Sequence, residues 1–312
     1  MKLLLIPDLH GKKPFIPKEE FDAIVCIGDV CSDKGIRKYK NVWMKRIEKG
    51  EKISIDKVII EKIGRRGMNK LDRFSLNEGR GILKYLDSFG KPVFFIPGNW
   101  DQSYGDTKIK DMDKNDYNYR KAFYDYWLGD KLNKKLVKGL RNIIDCQFKL
   151  HSFKGINFIG YGLSSAPEKI RKGAGREYTK KQEKMLKEVY QKIINKLDET
   201  YKKRNKKLPT IFLTHNVPYN TKLDVLRIKG SEFNGKHFGS TVAREFVLKH
   251  KPMLCVGGHM HEHFGKCKLG ETICVNVGFG GGKAVMVEIS NGNKLEGIRF
   301  IEGKREVRKK SM

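Results

Sequence analysis

The chain has 312 residues, with 65 basic and 36 acidic side chains and a formal net charge of +29. This length allows one large domain with a substantial buried core. No apolar run reaches the roughly 18 residues of a transmembrane helix, and the N-terminal apolar run, broken at Pro7 and Asp8, is too short for a signal peptide. The six cysteines form no CxxC pair, which favours reduced thiols and hence a cytoplasmic protein.

In the first half of the chain, short apolar runs alternate with helical patterns. The runs at 2–6, 21–27 and 92–96 predict buried strands. Residues 79–89 have the apolar spacing of a helix, whereas residues 33–80 predict an irregular insertion with some helix of its own. Residues 102–116 predict a loop, and the aromatic-rich residues 117–138 predict a helix whose aromatic stripe packs in the core.

The second half begins with alternation and ends in strands. Strands are predicted at 146–151, 156–161, 210–214 and 253–256, and helices at 177–204 and 240–250. Residues 264–301 predict further strands, with Asn291-Gly292 as a hairpin turn. The order favours an α/β sandwich. We predict one domain, 1–302, with insertions at about 33–80, 102–140 and 166–207, followed by a basic, disordered tail at 303–312.

Five polar clusters mark the places where chemistry is expected, and several of them directly follow predicted strands. In chain order they are Asp8-Leu9-His10-Gly11, Gly28-Asp29, Gly98-Asn99-Trp100-Asp101, Thr214-His215-Asn216 and Gly257-Gly258-His259-Met260-His261. Their nitrogen and oxygen donors suit Mn, Fe, Zn, Co or Ni better than Mg or Ca alone. Seven donors, Asp8, His10, Asp29, Asn99, His215, His259 and His261, are too many for one ion and suit two ions about 3.5–4 Å apart. A bridging carboxylate is then needed, and Asp29 stands in the middle of the set.

The ordered set resembles the calcineurin-like metallophosphoesterases. That family is marked by Asp-x-His, Gly-Asp, Gly-Asn-His-Asp/Glu, a single His and Gly-His-x-His, and the resemblance spans residue 1 to about 290. It implies a four-layer α/β/β/α sandwich with a dinuclear metal site at the strand ends. It also implies two metal positions with a shared bridge: Asp8, His10 and His261 for one ion, Asn99, His215 and His259 for the other, and Asp29 between them. A hydroxide held between the ions would attack phosphorus in line. Two divalent ions are expected, Mn²⁺ first, with Fe, Ni, Co or Zn as alternatives.

One position departs from the family pattern. Trp100 stands where the family has a histidine that protonates the leaving oxygen or stabilises the phosphoryl group, and tryptophan cannot shuttle a proton. Family members that replace this histidine tend to act as phosphodiesterases. His263, ahead of His237, is the candidate replacement, and Asp101 is expected to support the ligands from behind. Asn216 and the Asn276-Val277-Gly278 turn are expected to be structural.

These observations predict a metal-dependent phosphoesterase that favours phosphodiesters. Positive charge is concentrated outside the clusters: residues 33–80 carry 15 basic and 7 acidic side chains, a net +8, and residues 166–207 carry 15 and 6, a net +9. One alternative is therefore a nuclease that holds nucleic acid through these segments. The other is a scaffold that keeps the fold without turnover. No membrane association is expected, and the oligomeric state is left open.

Overall fold

Two six-stranded sheets form the centre of the molecule. The structure is a computed structural model that describes residues 1–51, 53–102, 136–137, 139–162, 168–169, 178–227 and 233–303. The strands in these ranges are β1 Lys2–Ile6, β2 Ala23–Cys26, β3 Val93–Phe95, β4 Ile143–Asp145, β5 Leu150–Phe153, β6 Ile156–Tyr161, β7 Thr210–Asn216, β8 Leu254–Gly258, β9 Gly265–Leu269, β10 Thr272–Asn276, β11 Lys283–Ile289 and β12 Leu295–Glu302. The helices are α1 Lys34–Glu48, α2 Ile55–Asp87, α3 Asn99–Gln102, α4 Lys180–Lys202 and α5 Thr241–His250.

The strand order brings the ends of several strands to a common edge. Sheet 1 has the order β12-β11-β1-β2-β3-β4, and sheet 2 has the order β5-β6-β7-β8-β10-β9. Strands β1 to β4 are parallel to one another, as are β6, β7, β8 and β10. Since the carboxyl ends of parallel strands share an edge, the residues that follow β1, β2, β3, β7 and β8 can meet there.

Alternating side chains along the strands build the layers. Leu3 and Leu5 of β1 pack into the core between the sheets together with Leu213 of β7, whereas Leu4 and Ile6 face outward. Helix α2 covers that outer face of sheet 1 through its buried leucines, while α4 and α5 pack on the outer face of sheet 2. The phenyl rings of Phe94 and Phe158 stack across the central layer with centroids 3.9 Å apart. The predicted four-layer α/β/β/α sandwich is confirmed.

Residues 33–80 are more regular than predicted. They contain α1 and most of α2. Ser54 caps the N-terminus of α2, because its hydroxyl accepts from the backbone N–H of Lys57, and the helix is kinked at Gly64 (φ 69°). The two helices share a small core of Ile36, Ile59 and Met68. The sequence predicted some helix here but not its extent, because lysines and glycines interrupt the apolar stripes. A second difference lies at 146–151, where β4 ends before this range and β5 begins at Leu150.

The strands and helices of the remaining described segments follow the predicted pattern. β11 and β12 form the hairpin around Asn291-Gly292. The loop at 102–116, the aromatic helix at 117–138 and the tail at 303–312 lie almost wholly outside the described residues, and the boundaries of the insertions stay predictions. None of the helices in the described ranges combines the length and apolarity that crossing a membrane requires.

Candidate metal centre

The five polar clusters converge at the common edge of the two sheets, and Asp29 lies at their centre. This carboxylate is only 1% exposed. Its Oδ2 atom is 3.3 Å from His10 Nε2 and 3.4 Å from His215 Nε2. Asp29, His215 and His259 each offer a donor atom, and the three atoms lie within 4.8 Å of one another. Residues at the carboxyl ends of β1, β2, β7 and β8 are therefore gathered in one small volume.

The Asp8 carboxylate organises the other side of the cluster. Its Oδ2 atom lies 3.4 Å from His261 Nε2 and accepts a hydrogen bond of 2.6 Å from the backbone N–H of His259. Its Oδ1 atom lies 3.9 Å from His215 Nδ1. Asp8 thus contacts both histidines of the Gly-His-x-His turn as well as the histidine of β7.

The imidazole of His215 is held in one orientation. Its Nδ1 atom donates to the carbonyl oxygen of Ile27 at 2.8 Å, because a carbonyl can only accept. Its Nε2 atom, 3.0 Å from Asn99 Oδ1, then faces the cluster. A second hydrogen bond of this kind fixes the tautomer of metal-binding histidines. His215 is fully buried.

The backbone around these side chains is strained and crowded. His10, Asp29 and His259 have positive φ values of 46°, 50° and 66°, a conformation that costs free energy and is concentrated at functional sites. A Cβ on Gly98 would lie 2.2 Å from Asp29 Oδ1. The glycine of this motif is required because the chain passes directly over the Asp29 carboxylate.

Burial and charge act against each other on the ionisable groups. Burial alone would lower the pKa of His10, but the carboxylates of Asp29 and Asp33 raise it to about 10. Burial likewise opposes the charged form of His215, yet Asp29 and Asp8 raise its pKa to about 9. Burial and the neighbouring His215 lower the pKa of His259 to about 4. The Asp29 pKa is held well below its usual value by His215 and His10, although burial works in the opposite direction.

Several buried polar atoms in the cluster have no hydrogen-bond partner among the residues that the structure describes, and they fit a cation. These atoms are Asp8 Oδ1 and both ring nitrogens of His10. The His10 nitrogens lie 3.3 Å from Asp29 and 3.2 Å from Asp33, but without hydrogen-bond alignment. Unsatisfied buried polar atoms are rare and costly. Oxygen and imidazole donors left in this state match the donor set that transition-metal ions prefer.

The remaining predicted residues lie behind or beside the cluster. Asp101 is buried and accepts from the backbone N–H groups of Cys31 (3.0 Å) and Gly98 (2.9 Å), so it joins the ends of two loops. Burial and the nearby Asp29 raise its pKa to about 6. Trp100 donates its backbone N–H to Asp29 Oδ1 at 2.8 Å, and its ring lies edge-on to His10 with centroids 5.9 Å apart.

The two spare histidines have other partners. His263 is buried, and its Nε2 atom donates to the carbonyl oxygen of Val225 at 2.7 Å. His237 binds the Asp224 carboxylate through Nδ1 at 2.7 Å. These contacts are of a structural kind. Asn276 is structural as well, since its side chain donates to Met260 O (3.0 Å) and accepts from the backbone of Gly278 (2.8 Å).

Two residues at the site were not anticipated. Asp33 Oδ2, at the N-terminal end of α1, lies 3.2 Å from His10 Nδ1. The ring of Phe279 stacks on His261 with centroids 4.1 Å apart and an interplanar angle of 20°. Asp33 belongs to none of the sequence motifs. Its contact with His10 arises only because the chain after β2 turns back toward that residue. Phe279 directly follows the Asn-x-Gly turn, which is the one signal in the sequence that pointed to it.

A family model for calcineurin-like phosphoesterases matches residues 1–263. The chain belongs to this family. Its members are metal-dependent hydrolases of phosphate esters, and the residues of the cluster described above all lie within the matched range. No protein of curated function matches the chain by sequence.

Solved structures share the fold at low sequence identity. One crystal structure aligns with a TM-score of 0.56 at 17% identity, covering 96% of this chain and 98% of that chain. TT1561 of Thermus thermophilus aligns with a TM-score of 0.45 at 15% identity, covering 95% and 96% of the two chains. The phosphopantetheinyl hydrolase of Mycobacterium tuberculosis aligns with a TM-score of 0.48 at 12% identity, covering 89% of each. At these identities the first of the three supports the fold alone.

Proposed function

We propose that this protein is a metal-dependent phosphodiesterase whose active centre is the cluster around Asp29. The observation that carries the proposal is the convergence of carboxylates and imidazoles on Asp29 and Asp8, with buried oxygen and nitrogen atoms that have no hydrogen-bond partner in the described part of the chain. Family membership supports hydrolysis of a phosphate ester. The preference for diesters is inferred from Trp100.

The proposed ligand set has two halves that share one bridge. One ion would be held by Asp8, His10 and His261, the other by Asn99, His215 and His259, and Asp29 would be shared by both. The short contacts from Asp29 to His10 and to His215, and from Asp8 to His261, support this division. Mn²⁺ is the proposed ion, with Fe, Ni, Co and Zn as alternatives, since availability decides among them.

The remaining residues hold this set in place. When bound, two divalent ions supply an activated water and neutralise the charge of the phosphoryl oxygens. Asp29 is oriented by the backbone N–H of Trp100, and Asn99 Oδ1 lies 3.0 Å from His215 Nε2, so that both atoms would face the same ion. Asp101 ties the Gly98 and Cys31 loops together behind them. Both carboxylate oxygens of Asp101 accept hydrogen bonds from the backbone N–H groups of these loops. We therefore assign Asp101 a positioning role rather than direct contact with substrate.

The leaving group is expected to receive little help from this centre. Trp100 cannot donate a proton to an alkoxide. The Nε2 atom of His263 donates its hydrogen bond to the backbone carbonyl of Val225. The proposed mechanism therefore does not use His263 as the acid. Esters with a stabilised leaving group should react faster than simple alkyl monoesters.

A nuclease is the second candidate, and the charge of α1 and α2 favours it. Residues 33–80 carry a net +8, and Asp33 joins this segment to His10. A scaffold without turnover is the third reading, although it gives no reason for seven metal-binding side chains.

The six unpaired thiols favour a reducing compartment, so we propose a cytoplasmic location.

One assay series separates these readings. The metal-free protein is loaded in parallel with Mn²⁺, Ni²⁺, Co²⁺ or Mg²⁺ and given a monoester, a small diester and a single-stranded oligonucleotide. We expect the diester to react fastest with Mn²⁺. Oligonucleotide cleavage that falls steeply with salt would identify a nuclease instead. Absence of turnover with every substrate and metal would contradict the proposed function.

A further inference from the structure

The start of helix α1 reaches the metal centre, although it lies outside all five motif clusters. Asp33 accepts from Arg37 Nε at 2.6 Å, one helical turn later, and the same carboxylate oxygen lies 3.2 Å from His10 Nδ1. The Asp33 side chain is only 9% exposed, whereas that of Arg37 is 50% exposed. A buried carboxylate therefore connects a proposed metal ligand to a cation at the surface.

Arg37 also lies next to the opposite wall of the centre. Its guanidinium carbon is 5.6 Å from the centroid of the Phe279 ring, and that ring stacks on His261. The amine of Lys12 is 4.2 Å from the same centroid. Arg37 thus stands between Asp33, on the His10 side, and Phe279, on the His261 side. The side chain of His261 is 35% exposed, so Arg37 lies beside the open side, or mouth, of the cluster.

The terminal nitrogens of Arg37 are available for a ligand. Only Nε is used by Asp33, and neither Nη group donates a hydrogen bond to another residue in the described ranges. A guanidinium offers a fixed fork of donors that matches two oxygens of a phosphate group, and it stays charged at every physiological pH. Asp33 fixes the direction of this fork, which reduces the entropy lost on binding.

We infer that Arg37 binds the phosphate group of the substrate at the mouth of the centre, where it supplies the positive charge that Trp100 does not. This inference rests on the proposed function. Arg37 is accordingly a substrate-binding residue, and Asp33 positions it. Because a guanidinium stabilises charge but gives up no proton, Arg37 strengthens the binding of phosphate esters without restoring general acid catalysis.

The test measures the binding of inorganic phosphate to the Mn²⁺-loaded protein by titration calorimetry, without any turnover. Arg37→Ala should raise the dissociation constant for phosphate about 10-fold, since a charged hydrogen bond at a half-exposed position is lost. Arg37→Lys should give an intermediate value, because it keeps the charge but not the fork. Lys38→Ala is the matched control. It removes one charge from the next residue, an exposed lysine whose amine lies 5.0 Å from the Tyr39 ring, and should leave the constant unchanged.

The result can be separated from a merely structural effect and from failure of the proposed function. Metal content and melting temperature of Arg37→Ala should equal those of the wild type, because the Asp33–Arg37 pair contributes little to stability at this exposure. Equal phosphate affinity in wild type and Arg37→Ala would overturn the inference, as would an equal loss in Lys38→Ala or no binding of phosphate by the wild type. A wild type that binds phosphate through Arg37 but hydrolyses no ester would support the inference and contradict the proposed function.

Discussion

The Asp29 carboxylate lies between the imidazoles of His10 and His215 and accepts from the backbone of Trp100. The proposed ligand set has two carboxylates, Asp8 and Asp29. In the described part of the chain, only Asp29 lies within 3.5 Å of a histidine at the end of each sheet, His10 and His215. If it bridges two ions, its removal affects both of them together. Truncation of the Asp29 side chain should therefore weaken the binding of both ions rather than of one.

We predict that Asp29→Ala lowers diester turnover by more than about 100-fold, since loss of an outer partner alone costs about 10- to 100-fold in such sites. Bound metal, measured by mass spectrometry, should fall in parallel. Glu271→Ala is the control, because it removes an exposed carboxylate whose partner is Lys251. Full activity or full metal content in Asp29→Ala would refute the bridging role.

Trp100 determines, in our proposal, which ester is preferred. Its backbone contact with Asp29 does not depend on the side chain. We predict that Trp100→His raises the ratio of monoester to diester turnover, because an imidazole can protonate the leaving oxygen. The effect should be about 10- to 100-fold at most, within the usual contribution of general acid catalysis.

The control for this substitution is Trp100→Phe, which also shortens a side chain that packs against two hydrophobic clusters but brings no proton donor. Both variants should lose stability, whereas only Trp100→His should change the ratio. If the ratio is the same in both variants, the leaving group does not need an acid at this position.

At the scale of single residues, the sequence was informative where a motif repeats a fixed spacing. Asp8 and His10, or His259 and His261, are two apart, and each pair contributes to one cluster. Asp33 and Arg37 could not be found in this way. Their place beside the cluster depends on how the folded chain brings the start of α1 back to His10. The spacing itself gives no signal, because an Asp followed by an Arg four residues later is common on the surface of helices.

Helix α2 shows how closely an element can approach the loops that form the site. A Cβ on Gly79 would lie 2.7 Å from Cys31 Sγ and 3.0 Å from the Cys31 backbone N. The same backbone N–H donates to Asp101. Two residues later, Gly81 is exposed, and no atom of the described residues lies within 4 Å of the position of a Cβ.

These two glycines of one helix should respond with opposite signs. We predict that Gly79→Ala destabilises the fold by about 1–3 kcal/mol through overpacking. Gly81→Ala should stabilise it by up to about 1 kcal/mol, because alanine favours the helix and meets no neighbour. Urea unfolding of both variants gives the comparison. A stabilising Gly79→Ala would mean that α2 does not approach Cys31 so closely.

The elements themselves were predicted with uneven success for a physical reason. Strands that end in a motif cluster were found because each is a short, continuous apolar run. For residues 33–80 some helix was predicted, but not the extent of α1 and α2, because their buried positions, such as Ile36, Ile59 and Met68, are few and lie among lysines. Their helical order depends on mutual packing and on the contact of α2 with sheet 1.

The topology of the whole molecule is the part that the sequence leaves open. β1 pairs with β2 on one side and with β11 on the other, across most of the chain. Nothing local in either strand specifies this pairing. Once it forms, Phe279, which lies between β10 and β11, forms a bridge with Asp8 and reaches His261. The C-terminal segment therefore completes the site that the N-terminal strand begins.

Ions at this shared edge should couple metal binding to the stability of the whole fold and to pH. The His10 and His215 pKa values are raised to about 10 and about 9, from an unfolded value of 6.5. Protonation of these rings therefore stabilises the metal-free fold fully below about pH 6.5, and the gain is lost as the pH rises through 9 and 10. A metal ion needs the His10 and His215 rings in their neutral form, so near neutral pH it competes with two protons. His259, with a pKa of about 4, is already neutral at that pH.

We predict that a fixed concentration of Mn²⁺ raises the melting temperature more at pH 8 than at pH 6. Two competing protons change the affinity by up to about 100-fold per pH unit, and an ion at 100 times its dissociation constant stabilises the fold by about 2.7 kcal/mol. Thermal unfolding with and without the ion, at both pH values, measures the difference, and a chelator should reverse it. A shift that is equal at the two pH values, or larger at pH 6, would show that His10 and His215 do not give up protons to the metal.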